Sequence, residues 1–248
     1  MQRVLISFFS LVFSLPGYAQ EKALNEIQTT NAWCNGSILL NNGEALEGLL
    51  RYDDKNSVLA FKSADQTSSY TARGVSAFDF FDVDAGKQRT FYSLEYMDPK
   101  NNAIRPLFFE LLGDFTDFAV ISKIDPVDIT TKSSTSPIDP GYMDMSNPNT
   151  YGKQTEIAQT ETVYFLNANG DIEPYLKVVR TVIDRQYMDR EKTKNKIVDK
   201  DLIEKYFKKE EIDLMRGFAE RNELEFRVKN DLIRILNYCL EIRAKKEN

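Results

Sequence analysis

Residues 36–52 carry the clearest structural signal of the chain and read GSILLNNGEALEGLLRY. Two apolar runs flank Asn41-Asn42-Gly43, and an Asn-Gly pair is typical of a tight hairpin turn because both residues tolerate a positive φ. Residues 36–40 and 46–52 are therefore predicted to form two antiparallel strands. Outward from this hairpin, short apolar or alternating runs predict further strands at 57–62, 69–72, 75–82, 90–96, 106–112 and 118–122.

These strand signals follow one another with only turn residues between them. Parallel pairing would need crossover segments of a dozen or more residues, and the sequence up to residue 123 has no such segments. Residues 30–123 are therefore predicted to be an antiparallel β domain, either a β-sandwich or a small barrel.

The second half of the chain has a different pattern. Residues 124–159 are rich in Pro, Ser, Thr and Asn without periodicity, which predicts a flexible linker. A second hairpin is predicted at 160–175, and helical spacing of apolar residues then predicts helices at 176–187, after Asp199, after Glu210-Glu211 and at 231–244. The expected fold class is α+β, with a hairpin and a C-terminal helical cluster in residues 160–248.

The first nineteen residues have the pattern of a secretory signal peptide. A basic start, Met1-Gln2-Arg3, precedes an apolar run at 4–13, and small residues lead to a predicted cleavage after Ala19. A membrane anchor is the alternative, but the apolar run is shorter than the roughly twenty residues that a span needs. The mature chain is expected to have no transmembrane span and to be periplasmic, outer-membrane-associated or extracellular.

Composition excludes several classes of function. The 248 residues include no histidine, which removes Ser-His-Asp and Cys-His sites and histidine-ligated zinc. The net charge of −6 argues against a nucleic-acid partner. Charge is uneven, roughly −11 over residues 20–175 and roughly +4 beyond them. The basic part is interpreted as an ordinary solvated helix surface.

The sequence is compatible with two states of the two cysteines, Cys34 and Cys239. A disulfide would persist in an oxidising compartment and would close a long loop. Alternatively, both thiols are free and buried, because Cys239 shares a helical apolar stripe with Leu232 and Leu236.

Clustered carboxylates are the candidates for catalysis. Glycoside hydrolysis needs two carboxylates and no histidine, so a hydrolase is compatible with the composition. The candidate residues are Asp53, Asp54, Asp82, Asp84, Glu95 and Glu110. Aspartates after apolar strands are also common in turns, and the prediction is that none of these residues is catalytic.

No cofactor or metal site is predicted. Residues 167–173 resemble part of a calcium loop, but Phe165 and Leu176 would fall at ligand positions, so a hairpin turn is predicted instead. No phosphate-binding or dinucleotide motif occurs. A group of aromatic residues is interpreted as core rather than as an exposed binding platform: Phe78, Phe80, Phe81, Phe91, Tyr92, Tyr96, Phe108, Phe109, Phe115 and Phe118.

The mature chain resembles a loose group of uncharacterised exported proteins of Gram-negative bacteria. The likeness rests on Trp33 with 36–43 and 46–49, on 105–109, and on 222–226 with 231–233 and Tyr238. The resemblance implies compartment and architecture only, because the group has no activity to carry over.

Together these features predict an exported, non-enzymatic protein that binds an envelope protein or a surface glycan. The alternative is a carboxylate-dependent hydrolase that acts on polysaccharide, and a structural protein without a small ligand is a third hypothesis.

Overall fold

A computed structural model describes residues 32–53, 56–64, 66–83, 85–98, 102–115, 117–125, 128–133, 153–184 and 190–247. The predicted signal peptide and its cleavage after Ala19 lie outside these residues.

The described residues form twelve strands and three helices. The strands are β1 Cys34–Leu40, β2 Ala45–Asp53, β3 Val58–Ser63, β4 Gln66–Tyr70, β5 Val75–Asp82, β6 Lys87–Asp98, β7 Ala103–Phe115, β8 Phe118–Ile124, β9 Asp128–Ser133, β10 Lys153–Asn167, β11 Ile172–Asp184 and β12 Arg190–Ile197. The helices are α1 Leu202–Tyr206, α2 Lys209–Arg221 and α3 Lys229–Glu247.

All twelve described strands belong to one sheet, with the order β12-β11-β10-β8-β7-β6-β5-β1-β2-β3-β4 and with β9 paired to the first half of β10. Every described pair is antiparallel. Gly43, in the β1–β2 turn, has a φ of +86°, as the predicted hairpin requires. The α+β class and antiparallel pairing are confirmed, and the order of the described strands is not closed, with β4 and β12 at its two ends.

The sheet is strongly curved in its N-terminal half. Tyr52 on β2 contacts Phe108 on β7 with ring centroids 5.8 Å apart, although three strands separate β2 from β7 in the strand order. In a flat sheet these strands would lie about 19 Å apart, at about 4.8 Å per strand. The curvature encloses an aromatic core that includes Phe78, Phe80 and Phe91. We call this concave side the inner face and the opposite side the outer face.

The helices cover the inner face at the other end of the sheet. Phe118, Phe165 and Leu176 of β8, β10 and β11 pack with buried residues of all three helices, including Met215 and Leu236. No described helix is long and apolar enough to cross a membrane. The Glu211 carboxylate accepts a hydrogen bond from the Lys208 backbone N–H at 2.9 Å, which caps α2 near the predicted Glu210-Glu211 start.

Two predictions of local structure differ from the structure. Residues 176–187 are predicted to be helical, but 172–184 form strand β11, where β-branched residues such as Val178, Val179 and Val182 favour the extended chain. Residues 185–187 lie outside the described residues. Within the predicted linker 124–159, residues 128–133 and 153–159 lie in β9 and β10, which pair with each other. Sheet pairing stabilises these polar segments, whose composition alone does not predict order. Residues 134–152 lie outside the described residues.

The two cysteines form no disulfide and are buried in different clusters. Cys34 packs in the aromatic core of the curved half, and Cys239 packs beneath the helices. Each therefore packs as a small apolar group, which agrees with the buried-thiol alternative of the sequence analysis.

Candidate functional site

A buried cluster of charged residues lies on the inner face between the two apolar cores. Arg89 on β6 donates hydrogen bonds to Glu110 on β7 from Nε to Oε1 at 2.9 Å and from Nη2 to Oε2 at 2.6 Å. Its Nη1 donates to Asp82 Oδ2 at 3.3 Å. All three residues are no more than 4% exposed. The guanidinium therefore bridges two buried carboxylates.

Aromatic rings and sheet register hold this cluster in place. Glu110 lies directly opposite Phe91, two residues along β6 from Arg89, and the Arg89 guanidinium lies 5.0 Å from the Phe91 ring centroid. Burial acts to raise the pKa of Glu110, but the hydrogen bonds and charge of Arg89, with Lys87, outweigh it and lower the pKa. Glu110 is therefore held as an anion.

A second ion pair attaches α3 to the sheet. Lys229 Nζ, in the first turn of α3, donates to both carboxylate oxygens of Glu161 on β10, at 2.8 and 3.0 Å. The Glu161 side chain is 9% exposed, so this pair is largely shielded from water. It positions the helix against the same inner face.

Of the predicted carboxylates that the structure describes, Asp82 and Glu110 are brought together, and Arg89 bridges them. Asp53 accepts hydrogen bonds from Asn56 in the β2–β3 turn, and Glu95 lies exposed on β6. Asp54 and Asp84 lie outside the described residues. A hydrolase needs one carboxyl group of raised pKa, whereas the pKa of Glu110 is lowered, so the arrangement suits packing better than acid catalysis.

The predicted aromatic group lies largely in the core. Seven of its members are buried: Phe78, Phe80, Phe91, Phe108, Phe109, Phe115 and Phe118. Phe81 and Tyr92 are 48% and 40% exposed and point to the outer face. The aromatic residues therefore form apolar core more than a continuous binding platform.

The outer face of β11 and β12 carries four exposed lysines, Lys177, Lys192, Lys194 and Lys196, which we call the lysine face. Lys192, Lys194 and Lys196 alternate along β12, so their side chains share one side of the sheet. Lys177 lies directly opposite Lys196 in the β11–β12 register, so these two cations are neighbours on that side.

The lysine face is electrostatically unbalanced. Within the described part of the chain, no ion pair involves these four lysines. Glu191 is the acidic residue of β12. It lies one position from Lys192, and because side chains alternate along a strand it points to the inner side of the sheet. Like charges directly opposite each other destabilise a sheet, so an external anion would stabilise this surface.

The loop that resembles a calcium site forms a hairpin turn. The Asn167 side-chain oxygen accepts hydrogen bonds from the backbone N–H groups of Asn169 and Asp171, at 2.9 and 3.0 Å. Among the described residues, no three Cys, Asp or Glu side chains are grouped so that they could hold a metal ion.

Sequence reasoning missed both the lysine face and Arg89. The period-two repeat of lysine at 192, 194 and 196 was a usable signal, because such spacing places side chains on one side of a strand but scatters them around a helix. The signal for Arg89 was a cation two residues from Phe91 within an alternating strand. Its partner Glu110 could be identified only from the register.

Compared with known proteins, the chain matches no family model, no curated protein and no solved structure.

Proposed function

We propose that this chain is an exported, non-enzymatic binding protein that recognises an anionic surface glycan through the lysine face. The observation that carries the proposal is the set of exposed lysines on β11 and β12, which form no ion pair with any residue that the structure describes. Export is an expectation from the signal-peptide pattern, and the resemblance to exported proteins is in keeping with it.

The spacing of the lysines suits an extended polyanion. Alternate residues of a strand lie about 6.8 Å apart, so Lys192, Lys194 and Lys196 form a row of cations about 14 Å long. Lys177 widens the row by one strand spacing, about 4.8 Å. A linear polymer with a carboxylate on each sugar can place several charges along this row at once, which strengthens binding by multivalency.

A protective role for the lysines is the competing explanation. β12 ends the described strand order, and lysines on an edge strand hinder pairing with other chains. That role requires charge on β12 but no ligand. The two explanations differ in what the loss of charge would do to glycan binding.

The proposed scaffold is a curved antiparallel sheet of the sandwich or barrel type in residues 30–123. The contacts of Tyr52 with Phe91 and Phe108 support this arrangement, since they bring distant strands together. The polysaccharide hydrolase has weaker support, because Arg89 holds Glu110 as an anion and ties it to Asp82.

The test compares binding of the purified protein to a soluble polyuronate and to neutral dextran. The variant replaces Lys192, Lys194 and Lys196 with Gln. The control replaces three exposed lysines elsewhere, Lys62, Lys209 and Lys245, with Gln, so that the net charge changes equally. We expect the β12 variant to bind polyuronate at least tenfold more weakly at low salt, with the control close to the native protein.

Equal binding by the two triple variants would reject the proposal, as would native binding to dextran as strong as binding to polyuronate. Aggregation of the β12 variant with unchanged polyuronate affinity would assign the lysines to edge protection instead. Removal of like charges should also leave the β12 variant as stable as the native protein or more so, by about 0.5 kcal/mol. If unfolding curves show that the β12 variant is at least as stable as the native protein, unfolding cannot explain a loss of polyuronate binding.

A further inference from the structure

A separate cavity of about 140 Å³ lies between the helices and the ends of β11 and β12. Its apolar walls are Tyr175, Ile197, Ile203, Ile212 and Phe226. Tyr175, Ile203 and Ile212 are buried, and Ile197 and Phe226 are half-buried. An apolar cavity of about 150 Å³ can hold one benzene-sized ring.

Charged side chains complete the lining of this cavity. Three exposed residues line the cavity: Lys200, Glu204 and Arg216. Two cations and one anion give this part of the lining a net charge of +1. The ion pair of Arg216 is with Asp213, at 3.9 Å between Nη1 and Oδ1, and both side chains are 61% exposed. Such a long, exposed pair contributes little stability, so the Arg216 guanidinium is available to an incoming anion.

Tyr175 adds a polar group to the apolar wall. Burial raises the pKa of Tyr175 to about 12. The phenol therefore keeps its proton at neutral pH and adds no negative charge to the wall of the cavity.

We infer that this cavity binds a small monocarboxylate with one aromatic or branched aliphatic group. The apolar group occupies the space between Tyr175, Ile212 and Phe226, and the carboxylate faces Arg216 and Lys200. This site lies on the inner side of the sheet, whereas the lysine face lies on the outer side, so the inference is independent of glycan binding.

The test uses phenylacetate as the probe, with phenylacetamide as a neutral analogue of the same size and acetate as an analogue without the ring. Binding is followed by NMR of isoleucine methyl groups, because Ile197, Ile203 and Ile212 report on the cavity. We expect phenylacetate to bind with a Kd of about 1 mM or tighter, and both analogues to bind at least about fivefold more weakly.

Two exposed substitutions, Arg216→Gln and Lys200→Gln, test the role of charge without disturbing the core. Each should weaken phenylacetate binding about fivefold and leave phenylacetamide binding unchanged. Arg221→Gln is the matched control, because Arg221 is exposed on α2, the helix that carries Arg216, but does not line the cavity.

Three results would overturn the inference. They are equal affinity for phenylacetate and phenylacetamide, unchanged phenylacetate affinity in Arg216→Gln and Lys200→Gln, and shifts confined to residues away from the three isoleucines. Phenylacetate binding at the lysine face would give that last result. Loss of polyuronate binding in the β12 triple variant, with the isoleucine shifts retained, would show that the two sites act separately.

Discussion

Replacing Arg89 with methionine tests whether the buried charge cluster stabilises the fold as its geometry indicates. Methionine keeps an unbranched apolar side chain beside Phe80 and Phe91 but removes the guanidinium. The substitution leaves Glu110 and Asp82, both at most 4% exposed, without their buried cationic partner. Lys87 stays 3.4 Å from Glu110 with a side chain that is 53% exposed, and the charge of Lys229 also still acts on Glu110.

The size of the effect follows from the hydrogen bonds that are lost. Each hydrogen bond to a charged group contributes about 1.5–3 kcal/mol, so the two Glu110 bonds together account for about 3–6 kcal/mol. Removal of one partner from a buried ion pair costs about 3–5 kcal/mol. We therefore expect Arg89→Met to lower the free energy of unfolding by about 4 kcal/mol at neutral pH.

The loss of stability should depend on pH. In the native protein the pKa of Glu110 is lowered, so its contribution to stability is present above the unfolded value of 4.5 and is lost as the pH falls through the folded pKa. In Arg89→Met, burial is expected to raise the pKa of Glu110 instead. The folded variant then takes up a proton more readily than the unfolded chain. The difference in free energy of unfolding between Arg89→Met and the native protein should therefore become smaller as the pH falls from about 7 to about 5.

Urea unfolding, followed by far-UV circular dichroism and by fluorescence of the single tryptophan, Trp33, measures the effect. Lys87→Met is the matched control and should cost less than about 1 kcal/mol, because exposed ion pairs contribute little. The double variant Arg89→Met/Glu110→Gln should be more stable than Arg89→Met alone. The reasoning is refuted if Arg89→Met and Lys87→Met cost the same, or if the deficit of Arg89→Met is independent of pH.

Three further outcomes are expected. Gly36→Ala should cost about 3 kcal/mol, since a Cβ there would overlap the backbone of β5 and approach a leucine methyl at 2.8 Å, whereas Gly74→Ala, with its nearest atom at 3.9 Å, should change urea stability by less than about 0.5 kcal/mol. Lys229→Met should cost about 2 kcal/mol in the same assay because Glu161 loses two charged hydrogen bonds, less than at Glu110 since the Lys229 side chain is 23% exposed; an unchanged urea midpoint would contradict this. Both cysteines should react with a thiol reagent only after unfolding, and fast reaction of the native protein would disagree with their burial.

Local signals predicted the first eight strands, although the fourth was predicted at 69–72 and lies at Gln66–Tyr70. The turn residues Asn41-Asn42-Gly43 and the alternation of Phe78 and Phe80 depend on neighbours in the chain, so one sequence is enough to identify them. The start of α2 is also a local feature, because the Glu211 carboxylate accepts a hydrogen bond from the backbone N–H of Lys208, three residues earlier. The error at 176–184 arose because Leu176, Val179 and Ile183 are spaced as on a helix, while long-range pairing with β10 and β12 overrides that spacing.

The turns, the alternating strands and the C-terminal helices follow from the order of residues alone, because each depends on interactions over a few positions. The pairing of β10 with both β8 and β9, the contact of Arg89 with Glu110, and the alignment of Lys177 with Lys196 depend on register between strands. A shift of one residue in that register would turn every side chain of a strand to the other face. Only the packed sheet, with apolar residues buried on its inner face, selects the register that places the lysines together outside.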